Sequence, residues 1–510
     1  MEYDSLTQQV LQSDDRAPSL PIPGAKSRRF SEEKNEDLRT WLTKELWEQF
    51  RITGPMILVS LLQFALNLIS LVFVGHLGEL ELSSSQIAVT VAVATGLNVM
   101  MGSASALETL CGQAYGAKEY YLTGIFLQRA IFVLTIICIP ISFIWWYLGP
   151  ILTAIGQNPE IAERAQEYTR FLIPTLFAYA CLQPLVKFMQ TQSAVKAMAL
   201  LSAITLVIHV SLCYFIIYQW GAGFRGAAIA TGISQWINFL FLACYLLLSS
   251  NFNKTWTGFS SEAFNDIYPF LKIALPSALL ICLQSWCFDT FVIVSGLLPN
   301  PKLETSTFSV CLNTVALLSM VPNGFSSAVS TRVSNELGAG LPNAAKAAVR
   351  LTVSLGLIEG FIVAIILVSV RNIFPYVFIS ESDVVDRVSS IVPIMAAIVI
   401  LDCYQTILGG VARGCGWQHI GAYTDFCAFY FIGLPLGLLL TFYFKIGGYG
   451  LWIGLISGFF MQAFLLTCIL LTLDWQKLAI QAAERVHGAR SLFDGLLPTT
   501  TVNEAPLLLK

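Results

Sequence analysis

A chain of 510 residues that is 55% hydrophobic and only 12% charged is no ordinary soluble domain, where about 25% of residues carry charge. Its mean hydropathy of +0.68 puts it in the integral membrane class. The net charge of −3 points to no partner, because the charges are segregated between apolar runs, and no nucleic-acid partner is expected.

Residues 1–40 lack an apolar core and read as a disordered polar tail, neither signal peptide nor span. The segment "DLRTWLTKELWEQF" then places apolar residues at helical spacing, suggesting an interfacial helix. A helix needs about 20 apolar residues to cross a bilayer. Such runs fall near 50–75, 85–110, 125–148, 169–190, 198–218 and 226–248, then near 268–297, 306–330, 346–371, 389–411, 421–443 and 449–473. The predicted fold is all-α, with twelve transmembrane helices, since lipid satisfies no backbone hydrogen bonds. The domain reading is an N-lobe over 41–248, a cytoplasmic linker over 249–266, a C-lobe over 267–474 and a cytoplasmic tail over 475–510.

Basic residues set the orientation. With both termini in the cytosol, only Arg164, Arg170, Arg225, Lys302, Arg371, Arg387 and Lys445 lie on the far side, leaving 22 of the 29 Lys and Arg inside. The sequence also repeats. "RITGPMILVSLLQ" matches "LKIALPSALLICLQ" at an offset of 221, "GSASALETLCGQAYGA" matches "GFSSAVSTRVSNELGA" at 222, and "GAAIATGIS" matches "GLWIGLISG" at 224. A near-constant offset across three separated segments indicates two parallel six-helix repeats, with any substrate site near the midplane between them.

Five ordered segments, "VGHLGELELSSSQIA", "SALETLCGQAYGAK", "GLLPNPKLETS", "STRVSNELGAG" and "GVARGCGWQHIGAY", resemble the signatures of plant multidrug and toxic compound extrusion transporters of the detoxification type. The resemblance runs from about residue 45 to 475. It implies two pseudo-symmetric bundles of six helices and export of organic molecules against cation entry, usually of protons.

"CLQSWCFDTFVIVSG" places Gln284 and Asp289 in an otherwise apolar span. A charge at bilayer depth costs about 2.5–3.5 kcal/mol on insertion scales, so such a residue is by default functional. Relatives usually carry Glu where this chain has Gln284. Their other C-lobe carboxylate maps to Asp402 in "IVILDCYQTILGG", and Asp425 stands where they more often have an amide. Asp402, Asp289 and Asp425 are thus the candidate cation-coupling residues, with protons as the expected ion. Asp402 has a structural alternative as a partner for an amide or hydroxyl on a neighbouring helix, and Asp425, about one turn into its span, has one as a residue facing the cytoplasmic vestibule.

Gln63, Asn67, Gln183, Gln284, Asn313 and Tyr404, with Trp286 as an aromatic wall, are the candidate substrate contacts. Interhelical hydrogen bonding is the competing role for the amides, Gln190 included. Glu108 matches the family near the cytoplasmic end of its span and reads as a brace for a loop or gate.

Other chemistry lacks its signals. No GxxxxGK[ST] stands for ATP, and His76, His209, His419 and His487 are scattered without ligand spacing. The twelve cysteines read as buried spectators. No cofactor, metal or catalytic residue is expected. The sequon at Asn253 falls in the cytoplasmic linker and should stay unmodified. Glu504 with Leu508 and Leu509 has the spacing of an acidic dileucine signal, favouring the vacuolar over the plasma membrane. A monomeric proton-coupled exporter of small organic compounds is the resulting expectation. A weakly coupled facilitator and, from another class, a lipid-linked glycan flippase or membrane enzyme are the alternatives.

Overall fold

A computed structural model describes residues 38–377 and 381–494. The rest of the amino-terminal tail and the dileucine segment lie outside the described residues. Twelve helices are long and apolar enough to cross a membrane. They are α1 (Thr43–Gly75), α2 (Glu79–Gly116), α3 (Tyr120–Trp146), α4 (Pro159–Thr191), α5 (Val195–Gln219) and α6 (Gly223–Leu248), followed by α7 (Ile267–Ser295), α8 (Pro301–Gly338), α9 (Pro342–Ser369), α10 (Ser382–Cys415), α11 (Gln418–Tyr443) and α12 (Gly448–Leu471). Several outrun their apolar cores by one or two turns, which hydropathy alone does not see. The segment expected as an interfacial helix is helical from Leu38, within Leu38–Gly75.

Helices α1–α6 and α7–α12 form two six-helix lobes. The N-lobe core is built on Leu107, Trp145, Leu176 and Phe188. The C-lobe core gathers Phe291, Phe308, Trp452 and Phe459, with a second cluster around Val329, Val333, Ile407 and Val411. An even number of spans leaves both lobes' ends matched, and one end, the basic end, is rich in Lys and Arg.

The repeat is visible as reciprocal contact. Gly102 on α2 meets the backbone of Ser277 and Ala278 on α7, while Gly324 on α8 meets Ile57 on α1. Nearer the basic end Gly112 faces Ser334, Gly116 faces the Asn335 carbonyl and Gly338 faces the Gln113 carbonyl. Every one of these residues maps onto its counterpart at an offset of 221 or 222. At each, a Cβ would overlap the opposite lobe; such small-residue contacts are how helices approach closely where lipid supplies no hydrophobic drive. The outer segment of α8, Pro301–Leu318, instead packs on α7 and α10 of its own lobe.

α8 is interrupted between Leu318 and Met320. Pro322 lacks the N–H that would bond the Leu318 carbonyl, so the ladder breaks one turn before it. α2 carries a π-helical turn at Val93–Leu97, one offset away from the same level.

The linker folds onto the N-lobe: Arg129 donates to the Ala263 carbonyl (3.3 Å) and Gln128 to that of Gly258 (2.9 Å). What reads from sequence as a plain tail contains a further helix, α13 (Trp475–Asp494). Trp475, Leu478 and Ala482 bury into the C-lobe cluster, and Val486 into that of the N-lobe.

Candidate functional site

Asp402, two-thirds of the way along α10, is 6% exposed. Its Oδ2 accepts from the Ser319 hydroxyl at 2.5 Å, across from the break in α8. Its Oδ1 accepts from Gln405 Nε2 at 2.9 Å and from Thr406 Oγ1 at 3.4 Å. All three donors are neutral, so no cation offsets the carboxylate locally. Beside it, Cys403 Sγ donates to Glu359 Oε2 of α9 at 3.2 Å. Glu359 is an acid inside the apolar run 346–371, so the cost of charge at bilayer depth that marks Asp289 in the sequence marks it equally.

The other two acids sit apart. Asp425 is 2% exposed and faces α12, where Gln462 Nε2 donates to its Oδ1. Its Oδ2 and Gln462 Oε1 are buried without a partner. Asp289 is half-buried on α7.

The expected substrate contacts divide in the same way. Gln284 and Gln63 are half-buried, and Asn313 is exposed. Asn67 is exposed on α1, while Gln183 is buried. Tyr404 shares a hydrogen bond with Thr467 of α12 (2.8 Å). Trp286, expected as a cavity wall, donates its indole N–H across the lobes to the Ala94 carbonyl of α2 at 2.9 Å, so its polar end serves the α2–α7 seam.

A second centre lies at the basic end, where Glu108 is fully buried. It accepts from Lys187 Nζ of α4 (2.5 Å), Ser330 Oγ of α8 (2.6 Å) and Arg413 Nε of α10 (3.0 Å). The two halves of the chain therefore share one carboxylate. Gln190 of α4 donates to the Ser327 carbonyl (3.0 Å) and to Thr331 (3.1 Å). Arg413 Nη2 donates to Ser326 (2.8 Å), whose hydroxyl donates to the Thr406 carbonyl (2.6 Å). From α13, Arg485 donates to Gln113 Oε1 of one lobe (2.7 Å) and the Cys415 carbonyl of the other (3.0 Å). Burial draws the Arg485 guanidinium below its ordinary value, but an arginine stays charged throughout the physiological range. Sequence reading reached Glu108 as a brace. Its partners lie up to 305 positions away, which no local pattern encodes. Among the described residues no three His, Cys, Asp or Glu converge on a metal position.

Two repeated helical bundles, a desolvated mid-membrane acid and an ion cluster clasping the bundles at one end define a membrane transporter of the two-lobe type. The comparisons agree on its family. The MatE family profile matches residues 55–215 and 276–439. Protein DETOXIFICATION 16 of Arabidopsis thaliana is 47% identical over 476 residues, 93% of this chain and 95% of that protein. Protein DETOXIFICATION 17 of the same plant is 46% identical, covering 88% and 93%. The crystal structure of the eukaryotic MATE transporter AtDTX14 superimposes with a TM-score of 0.84 at 45% identity, covering 87% of this chain and 99% of that one. This chain belongs to the MatE family of transporters.

Proposed function

We propose that the protein is a proton-coupled antiporter that exports small organic compounds, such as alkaloids, flavonoids or xenobiotics, from the cytosol to the vacuole or the cell exterior. The observation that carries this reading is Asp402: a buried carboxylate held by three neutral donors, with no cation beside it. Such a group can exchange a proton as its solvation changes, and its charge state then alters the packing around it. Asp289 and Asp425 are secondary carriers. Gln284 can hydrogen-bond substrate but not carry a proton, which favours recognition through neutral polar contacts with Gln63, Asn67, Gln183 and Asn313.

The structure is joined at the basic end, which the Lys and Arg count assigns to the cytosol, so substrate would be released at the far end in this state. Uptake into proteoliposomes under an imposed pH gradient, screened over alkaloids, flavonoids and organic acids, tests the proposal. Gradient-stimulated accumulation is expected. Equal uptake with and without the gradient would favour the facilitator reading, to which the Gln284 position lends support.

A further inference from the structure

We propose that Ser319 is the positioning residue that passes the protonation of Asp402 to the interlobe clasp, with the α8 segment Met320–Gly338 as the moving part. The inference rests on the proton-coupled reading above.

Ser319 sits in the break that Pro322 imposes on α8, where the chain already lacks one rung of its ladder. Its hydroxyl has two acceptors within reach, Asp402 Oδ2 at 2.5 Å and the Val315 carbonyl of its own helix at 2.8 Å. One hydroxyl hydrogen cannot serve both fully. Facing an ionised Asp402, the hydrogen goes to the carboxylate, because charge-assisted bonds are the stronger. Once Asp402 is protonated, the acid can itself donate, to the serine oxygen, and the serine hydrogen turns to Val315. The hydrogen bond at the hinge therefore has two arrangements, selected by one proton. The titratable groups facing Asp402 are Glu359 of α9 and Cys403 between them. Gln405 and Thr406, its other partners, do not titrate.

The segment beyond the hinge makes much of the lobe-to-lobe contact. In order along it, Gly324 meets Ile57, Ser327 and Thr331 receive Gln190, and Ser330 donates to Glu108. Further on, Ser334 faces Gly112, Asn335 donates to the Thr191 carbonyl and Gly338 faces Gln113. With 19 residues the segment is about 28 Å long, so a tilt of about 5° at Ser319 displaces its far end by about 2.5 Å. The shift is about 1 Å at Ser327 and grows along the segment, so the hydrogen bonds farthest from the hinge lengthen most and leave bonding range first. Against this segment α10 presents Gly410 and Gly414, one turn apart, which meet Ser326, Ser330 and Val333 with no side chain of their own. A glycine face of this kind permits the small sliding by which packed helices shear.

The test is amide hydrogen exchange on the full-length protein in lipid nanodiscs at pH 5 and pH 7.5, corrected for intrinsic rates and read over Met320–Gly338 and the facing Ala106–Gly116. In the wild type, exchange in both segments should be about tenfold faster at pH 5, the scale of one charge-assisted hydrogen bond. Ser319→Ala should remove that pH difference, while Ser319→Thr, which keeps the hydroxyl, should restore it. If the alanine variant cannot be recovered folded, Ser319→Cys takes its place, with a near-isosteric but weak donor. A pH difference lost in Asp402→Asn yet intact in Ser319→Ala or Ser319→Cys would overturn the inference and leave proton coupling standing. No pH difference in the wild type would overturn the inference, while gradient-driven uptake into proteoliposomes decides the proton-coupled reading separately.

Discussion

The two lobes share a fold and a 222-residue offset, yet they carry different chemistry at matched positions. Where the C-lobe has Asp402 the N-lobe has Ala180, and where the C-lobe has Ser319 the N-lobe has Leu97. In return the N-lobe has Glu108 opposite Ser330, and Lys187 opposite Gly409. Glu108 and Ser330 are thus repeat mates that hydrogen-bond each other at 2.6 Å. The N-lobe does hold a buried polar cluster, with His209 between Ser70 (3.0 Å) and Ser234 (2.8 Å), but no carboxylate takes part in it. Duplication supplied the two-fold frame, and divergence split the labour: one lobe holds the mid-membrane acid, the other holds the charge that clasps the lobes together.

The clasp is where this comparison can be broken most severely. Glu108→Gln leaves Lys187 and Arg413 beside a neutral group, and stripping one member from a buried ion cluster costs about 3 kcal/mol or more. The thermal unfolding midpoint of the purified protein should fall clearly, and Ser330→Ala on the other side of the same bond should lower it far less. An unchanged midpoint in Glu108→Gln would mean that the carboxylate holds nothing shut.

A symmetric pair of substitutions sharpens the frame itself. Gly116→Ala and Gly338→Ala each push a methyl into a carbonyl of the opposite lobe, at a cost of about 1–3 kcal/mol. The two variants should lose similar stability in chemical denaturation, because the contacts are repeat mates. A large effect from one and none from the other would show that the lobes do not meet symmetrically. The smallest effect is expected at the α2–α7 seam. Trp286→Phe removes the indole bond to the Ala94 carbonyl and should cost about 1 kcal/mol. Were Trp286 a substrate wall instead, the same variant would leave stability alone and weaken substrate affinity.

Much of the frame was legible because its physics is local. Apolar run length gives the spans, and the repeat offset gives the lobes. Asp402 stands out because a carboxylate in an apolar run is costly wherever it lies. Glu359 carries that same signal. What sequence could not show is which group meets which. Arg413 and Lys187 read as ordinary basic-end charges until folding brings both to Glu108. Ser319 is one serine among many until the Pro322 break sets it against Asp402. The α13 helix was readable: Trp475, Leu478, Ala482 and Val486 recur at spacings of three and four, short of span length but enough for a surface helix.

The central claim is that the C-lobe acid, with no counterpart in the N-lobe, drives the cycle. Its most direct test is pH-gradient-driven uptake into proteoliposomes by the wild type and by Asp402→Asn, matched for amount and folded state, using a compound from the screen that the wild type accumulates. The amide keeps the shape and the neutral hydrogen bonds but cannot titrate, so gradient stimulation should vanish in the variant. Undiminished stimulation in Asp402→Asn would contradict the account and move the proton to another acid.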